Sequence, residues 1–174
     1  MPKKDRAFYV PPAESKSTSD YGGKIESLCY ETGICKGPCL EGFVSYNGIC
    51  SKYIHEKINW IDAELFCQNL AKGGHLASVH CPLENLFLSA LIQISYHHAD
   101  TMTWIGASDC YKEGTFLWLD GSRMDHSEWY YNQPDDGKQK ENCVMMNKNK
   151  NGLWFDADCS QEYNFICSYK LSNK

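Results

Sequence analysis

The cysteine content constrains this chain more than any other feature of its sequence. Ten cysteines occur in 174 residues, and they are spread along the chain without paired Cys-x-x-Cys motifs. An even number of scattered cysteines is typical of disulfides formed in an oxidising compartment, because intracellular thiols are kept reduced. We therefore expect a secreted or extracellular protein whose fold is stabilised by disulfide bonds.

The length and charge of the chain exclude several classes of protein. A chain of 174 residues is sufficient for about one domain and a tail. Its hydrophobic content of 43% is that of an ordinary globular protein with a packed core. The formal net charge of -5 does not favour contact with a phosphate backbone, so nucleic acid is not an expected partner. No apolar run is long enough to predict a membrane span.

The composition divides the chain into a tail and one folded unit. Residues 1–28 are rich in Lys, Pro and Ser and contain few apolar side chains, which indicates a flexible N-terminal tail. This segment has no apolar run of the length that a signal peptide needs. The cysteines that follow, among Gly33, Gly37 and Pro38, favour a disulfide-stapled lead-in. We assign residues 29–174 to the folded domain.

Local patterns predict two helices followed by several short strands. Asn47-Gly48 predicts the turn of a β-hairpin over residues 42–53. Apolar residues at helical spacing predict one helix over residues 59–72 and a second over residues 82–94. The apolar face of the second helix is expected to consist of Leu83, Leu86, Phe87, Ala90, Leu91 and Ile94. Short apolar runs separated by long polar loops predict strands in the second half, so the fold class is α+β.

A series of ordered motifs extends over about three quarters of the chain, from Cys39 to Tyr169. Besides the cysteines, the motifs are Gly42-Phe43, Trp60, Ala63-Glu64, Gly74-His75-Leu76-Ala77-Ser78-Val79, Trp104-Ile105-Gly106, Trp118, Asp120-Gly121, Trp129, Gln133-Pro134-Asp135, Trp154, Asp156 and Phe165-Ile166. This series resembles the C-type lectin-like domain. The resemblance implies a disulfide-stapled α+β fold in which two helices flank short antiparallel sheets beside a long loop region.

The resemblance also implies part of the disulfide pattern. The pairings that it implies are Cys39–Cys50, Cys67–Cys167 and Cys143–Cys159. For the other four cysteines the pairing stays open. One hypothesis pairs Cys81 with Cys110, because the family fold brings these two positions near each other, and pairs Cys29 with Cys35. Intermolecular bridging through Cys29 or Cys35 is the alternative.

The triplet Gln133-Pro134-Asp135 is the candidate binding site. Calcium prefers about 6 to 8 oxygen ligands, which carboxylates and amides on a loop can supply. In C-type lectins the residues on both sides of the proline, usually joined by a cis peptide bond, ligate calcium and bond two sugar hydroxyls on the same ion. The order Gln-Pro-Asp resembles the galactose type, whereas Glu-Pro-Asn is the mannose type. The implied partners are therefore galactose-containing glycans.

The resemblance adds further acids to the implied calcium ligands. Glu141 and Asp156 match two more ligands of the main site and therefore join Gln133 and Asp135. An auxiliary calcium site is implied at Asp109, Glu113, Asp136 and Glu141. The alternative is that these acids form a solvated loop face, neutralised without a metal by Lys138, Lys140, Lys148 and Lys150.

Two departures from the family pattern affect the sugar site. The family usually has an asparagine at the position of Phe155, and phenylalanine can neither ligate calcium nor donate a hydrogen bond. We expect weaker calcium binding, or a calcium-independent lectin whose sugar site is shaped around Phe155. The loop after the triplet also lacks the aromatic residue that galactose-binding relatives often use for stacking. Tyr130, Tyr131 or Phe155 could replace it.

These features favour a secreted carbohydrate-binding lectin of the galactose or lactose type. An enzyme is not expected, because the histidines are scattered and no Cys or Ser nucleophile is paired with them by pattern. Avidity from multivalent binding makes a homodimer plausible. The alternative is a module of the same fold that binds ice or a protein surface, since the loop sequence is also similar to that of fish type II antifreeze proteins.

Overall fold

The computed structural model describes residues 34–35, 39–95, 101–146 and 152–171. The tail expected at residues 1–28 and the expected partner of Cys35, Cys29, lie outside these ranges. The helices are α1, Trp60–Leu70, and α2, Pro82–Ser95. The strands are β1 Ile34–Cys35, β2 Val44–Tyr46, β3 Ile49–Ile58, β4 His75–Leu76, β5 Thr103–Ser108, β6 Leu117–Trp118, β7 Glu141–Met146, β8 Trp154–Asp158 and β9 Tyr163–Lys170. A helix long and apolar enough to cross a membrane is not found among the described residues.

The strands form one mixed sheet, and the α+β class is confirmed. The strand order is β1-β2-β3-β9-β5-β7-β8, with β4 paired to β9 and β6 paired to β5. All pairs are antiparallel except β5 with β9, which run parallel. The central strand β5 is buried along its whole length, which places the core on both faces of the sheet.

The predicted hairpin and first helix are confirmed. Asn47 and Gly48 have φ angles of 50° and 78° and connect β2 to β3, as a type I′ turn requires. Helix α1 begins after Asn59, whose Oδ1 accepts a hydrogen bond of 3.0 Å from the Asp62 N–H. This cap satisfies one of the free amides at the helix start.

The predicted apolar face of α2 is wrong for four of its six residues, whereas Phe87 and Leu91 pack against the core as expected. Leu83, Leu86 and Ile94 are 62%, 64% and 79% exposed, whereas Leu88 and Ile92 are buried. The buried face also contains polar residues, namely Glu84, Asn85 and Ser89. They can be buried because their polar atoms are bonded: the Glu84 carboxylate, for example, accepts a 2.8 Å hydrogen bond from the His80 N–H. Counting apolar residues alone therefore misses the polar residues on the buried face of this helix.

Asn85 connects α2 to the start of β8. Its Oδ1 accepts a 2.8 Å hydrogen bond from the indole N–H of Trp154, which is fully buried, and its Nδ2 donates to the Gly152 carbonyl at 3.0 Å. Replacing Asn85 by Ala leaves the indole N–H without this acceptor. We expect Asn85→Ala to lower the free energy of unfolding by about 1–3 kcal/mol.

Urea denaturation measures this effect, and Asn69→Ala is the matched control. The Asn69 side chain donates to the Leu65 carbonyl on the exposed side of α1. Its removal should change the free energy of unfolding by no more than about 0.5 kcal/mol. Equal losses in the two variants would show that the Asn85 contacts do not stabilise the fold.

Three disulfides staple the described part of the chain. They join Cys39 to Cys50, Cys67 to Cys167 and Cys143 to Cys159, so these pairings, implied by the resemblance, are confirmed. The hypothesis of a Cys81–Cys110 bond is wrong, because both residues are free thiols. Pairing of Ser108 with Cys143 on β7 directs the chain after β5 toward the Cys143–Cys159 disulfide, and Cys110 lies beside Cys159.

Candidate functional site

The long loop between β6 and β7 returns to the sheet beside β8. Trp129 forms a bridge with Trp154, and their rings pack edge to face with centroids 5.7 Å apart. The Trp154 N–H donates to the Glu128 carbonyl at 2.8 Å, and the Tyr130 N–H donates to the Trp154 carbonyl at 2.9 Å. These contacts place the residues after Tyr130 next to the middle of β8.

The triplet Gln133-Pro134-Asp135 lies against Asp156 of β8. The Gln133–Pro134 peptide bond is cis, as expected. The Gln133 Oε1 accepts a 3.2 Å hydrogen bond from the Asp156 N–H. The Asp156 carboxylate in turn accepts hydrogen bonds from the backbone N–H groups of Asp135, at 3.1 Å, and Asp136, at 2.7 Å. The loop and β8 therefore bond each other in both directions.

Three carboxylates converge at this point. Asp135, Glu141 and Asp156 each place a carboxylate oxygen within 4.8 Å of the other two. Asp135 is exposed, Glu141 is half-buried and Asp156 is buried. Burial raises the pKa of the Glu141 carboxyl above its ordinary value, and the negative charges of Asp156 and Asp135 raise it further. A bound cation would offset this repulsion, and the oxygen donors are of the type that calcium prefers.

The loop after the triplet reaches Glu141 through a tight backbone turn. Asp136, Lys138 and Gln139 have positive φ angles of 43°, 61° and 59°. The Gly137 N–H donates to Glu141 Oε2 at 3.0 Å, and a Cβ at Gly137 would lie only 2.7 Å from the same oxygen. A side chain at this position would therefore displace the Glu141 carboxylate, a constraint that the sequence alone did not reveal.

The acids of the expected auxiliary site also lie together. Asp109 is 1% exposed; its Oδ2 accepts a hydrogen bond from the Gly114 N–H, but its buried Oδ1 has no partner among the described residues. Desolvation raises the pKa of the Glu113 carboxyl, and the charges of Asp109 and Asp136 add to the increase. The Asp136 Oδ1 accepts from the Glu141 N–H at 3.2 Å, which connects the two acidic groups. A buried acceptor without a donor suits a cation.

The expected neutralisation of these acids by lysines is not observed in the described ranges. Neither Lys138 nor Lys140 forms an ion pair with an acid of the cluster there. Lys148 and Lys150 lie outside the described residues. Among the described residues, Lys138 and Lys140 therefore leave the negative charge of the cluster without an ion pair.

Phe155 is placed differently from the expectation that it contacts sugar. Its side chain is 5% exposed, and its ring stacks on that of Tyr130 with centroids 4.8 Å apart and an interplanar angle of 22°. A ring buried in this way cannot offer a face to a ligand. Tyr130, at 38% exposed, covers Phe155 and remains accessible beside the triplet, as does Tyr131 at 81% exposed.

The sequence of the chain is similar to those of known proteins. The family described as the lectin C-type domain matches residues 56–169. A lectin from Pleurodeles waltl is 38% identical over 135 residues, which cover 78% of this chain and 78% of that lectin.

Two solved structures share the fold. The carbohydrate-recognition domain of cow CD23, solved in the presence of a GlcNAc2Man3 oligosaccharide, is 33% identical, has a TM-score of 0.68 and covers 78% of this chain and 98% of its own. A calcium-independent type II antifreeze protein is 29% identical, has a TM-score of 0.67 and covers 76% of this chain and 94% of its own. The family match and the similarity to the Pleurodeles waltl lectin each cover most of the described residues. The chain therefore belongs to the C-type lectin family.

Proposed function

We propose that this protein is a lectin that binds galactose-type glycans through calcium at Gln133, Asp135, Glu141 and Asp156. The observation that carries the proposal is the convergence of three carboxylates within 4.8 Å of one another beside the triplet. The order Gln-Pro-Asp, which resembles the galactose type, supports the sugar class. The three disulfides support secretion. No catalytic function is proposed.

The residues of the triplet have separate roles in binding a pair of vicinal hydroxyls. A calcium ion would bind the two hydroxyl oxygens as ligands. The Asp135 carboxylate is exposed and accepts hydrogen bonds from sugar hydroxyls. The Gln133 Oε1 accepts from the Asp156 N–H, which orients the amide so that Nε2 is the group that donates to the sugar. One donor and one acceptor in fixed positions select the arrangement of the hydroxyls.

Phe155, at the position where the family usually has asparagine, determines the calcium affinity that we expect. It removes one side-chain ligand, so water has to complete the coordination and calcium affinity should be lower than with asparagine. The stacked pair of Tyr130 and Phe155 gives the site an accessible aromatic ring. Tyr130 is therefore our candidate for stacking on the apolar face of the sugar.

A second candidate function keeps the fold but changes the ligand. The structural similarity to a calcium-independent type II antifreeze protein favours an ice-binding surface, or more generally a surface that needs no ion. The presence of Phe155 in place of the family's asparagine ligand agrees with this alternative. A calcium-independent sugar site next to Tyr130 is the intermediate case.

Affinity chromatography on immobilised lactose separates these functions. We expect retention in calcium and elution by EDTA, because the carboxylates need the ion to bind hydroxyls. Retention that EDTA does not reverse would indicate a calcium-independent lectin. No retention on lactose, galactose or mannose resin, together with thermal hysteresis on freezing, would indicate the ice-binding alternative.

A double variant provides the matched test of sugar type. Gln133→Glu combined with Asp135→Asn exchanges the acid and the amide while it leaves the oxygen donors and the net charge unchanged. The variant should lose retention on lactose and gain retention on mannose, since donor and acceptor positions are reversed. If the variant and the parent have the same preference, the triplet does not select the sugar.

A further inference from the structure

Three sulfur atoms meet at the edge of the acidic site. The Cys143–Cys159 disulfide joins β7 to the turn after β8. Cys110 is a free thiol, and its Sγ lies 3.9 Å from the Sγ of Cys159. The three sulfurs all lie within 4.8 Å of one another. A free thiol is therefore in contact with a disulfide bond.

Exposure decides which sulfurs can react. Cys110 is exposed, Cys159 is partly exposed, and Cys143 is fully buried. A thiolate attacks a disulfide along the direction of the bond that breaks, so exchange requires the exposed Cys110 side chain to change its torsion angle from the observed position beside the bond. Cys159 is the sulfur in contact with Cys110 and the more accessible member of the bonded pair. Attack at Cys159 makes Cys143 the leaving group.

We propose that Cys110 exchanges with the Cys143–Cys159 disulfide, so that the folded chain interconverts between two disulfide isomers. The Cys110 thiolate forms a bond to Cys159 Sγ while the bond between Cys159 and Cys143 breaks. The electron pair of the broken bond stays on Cys143, which takes up the proton that Cys110 released. One disulfide and one thiol are present before and after, so no external oxidant or reductant is needed.

The exchange would change the partner of Cys159 from Cys143, near the main acidic cluster, to Cys110, next to the auxiliary group. Cys143 follows Glu141 on β7, and Cys159 follows Asp158 at the end of β8. Cys110 comes directly after Asp109, the buried acid of the auxiliary group. In the second isomer the disulfide joins the loop after β5 to the turn after β8. Strand β7 still pairs with β5 and β8, but no disulfide joins it to the turn after β8. Any consequence for calcium binding rests on the proposed function, whereas the exchange itself does not.

Mass spectrometry of trapped thiols tests the exchange. The full chain is incubated at pH 8, quenched with excess N-ethylmaleimide, digested without reduction, and mapped. We expect the label on Cys110 and, in a fraction of the molecules, on Cys143 together with a Cys110–Cys159 peptide pair. Cys110→Ser should abolish the label on Cys143. Cys81→Ser, which removes the other free thiol among the described residues, should leave it unchanged. Label confined to Cys110 and Cys81 in the parent would overturn the proposal.

A second variant measures the consequence for the site. Cys143→Ser leaves Cys110 and Cys159 as two thiols that oxidised glutathione can join during refolding, and the resulting disulfide locks the second isomer. We expect its calcium affinity, measured by titration calorimetry, to be at least about tenfold lower than that of the parent. Unchanged affinity in this variant, with exchange present in the parent, would reject the coupling between the disulfide and the ion site. No calcium binding by the parent would instead reject the proposed function.

Discussion

Replacing Asp135 by Ala is expected to abolish measurable binding of galactosides. Asp135 is the exposed member of the carboxylate cluster, and it supplies both an ion ligand and an acceptor for a sugar hydroxyl. A charge-assisted hydrogen bond contributes about 1.5–3 kcal/mol, and loss of the ion ligand adds to this cost. We therefore expect a decrease in affinity for lactose of at least about 100-fold, which is about 2.7 kcal/mol. Titration calorimetry in calcium measures it.

A control variant distinguishes loss of the site from loss of charge. Asp125 is an exposed acid of the same long loop, but its carboxylate bonds to the His80 ring at 2.8 Å and is not part of the cluster. Asp125→Ala removes the same charge and should bind lactose like the parent. Comparable affinity of Asp135→Ala and the parent would mean that the sugar binds elsewhere.

Removal of the Cys67–Cys167 disulfide is expected to cause the largest loss of stability. This bond joins α1 to β9 across a sequence separation of 100, and both sulfurs are buried. A closed loop of that length restricts the unfolded chain by about 4.7 kcal/mol. Small domains are stable by only about 5–15 kcal/mol. We expect the double variant Cys67→Ala and Cys167→Ala to be close to unfolding, as urea denaturation under non-reducing conditions would show.

The Cys39–Cys50 disulfide is the matched comparison because it closes a much shorter loop. Its sequence separation is 11, so the chain-entropy difference between the two bonds is about 2 kcal/mol. Cys39→Ala with Cys50→Ala should therefore lose less stability than the first pair. The reverse order would contradict loop length as the main source of stabilisation.

Much of the fold could be predicted from local patterns because those patterns have local causes. The turn at Asn47-Gly48 needs positive φ angles that these two residues adopt easily. Helix α1 was predicted from its apolar spacing, and Trp60, Ala63 and Cys67 are buried as the spacing required. The disulfides that were implied by family resemblance could not have been derived from spacing, since ten cysteines allow many pairings.

The failures concern residues whose environment depends on distant parts of the chain. The buried face of α2 contains Asn85 because the Trp154 indole, far along the chain, needs an acceptor. Cys110 is beside Cys159 and not Cys81 because the pairing of β5 with β7 directs it there. Phe155 is buried under Tyr130, and no local pattern shows that an aromatic residue of the long loop will stack on one of β8.

A crystal structure of the protein with calcium and lactose tests the proposed sugar site most directly. We expect one calcium ion ligated by Gln133, Asp135, Glu141 and Asp156, with two vicinal hydroxyls of the galactose residue as further ligands. Anomalous scattering would identify the ion. Lactose bound away from this cluster, or a cluster that stays without calcium at millimolar concentration while lactose is bound, would contradict it.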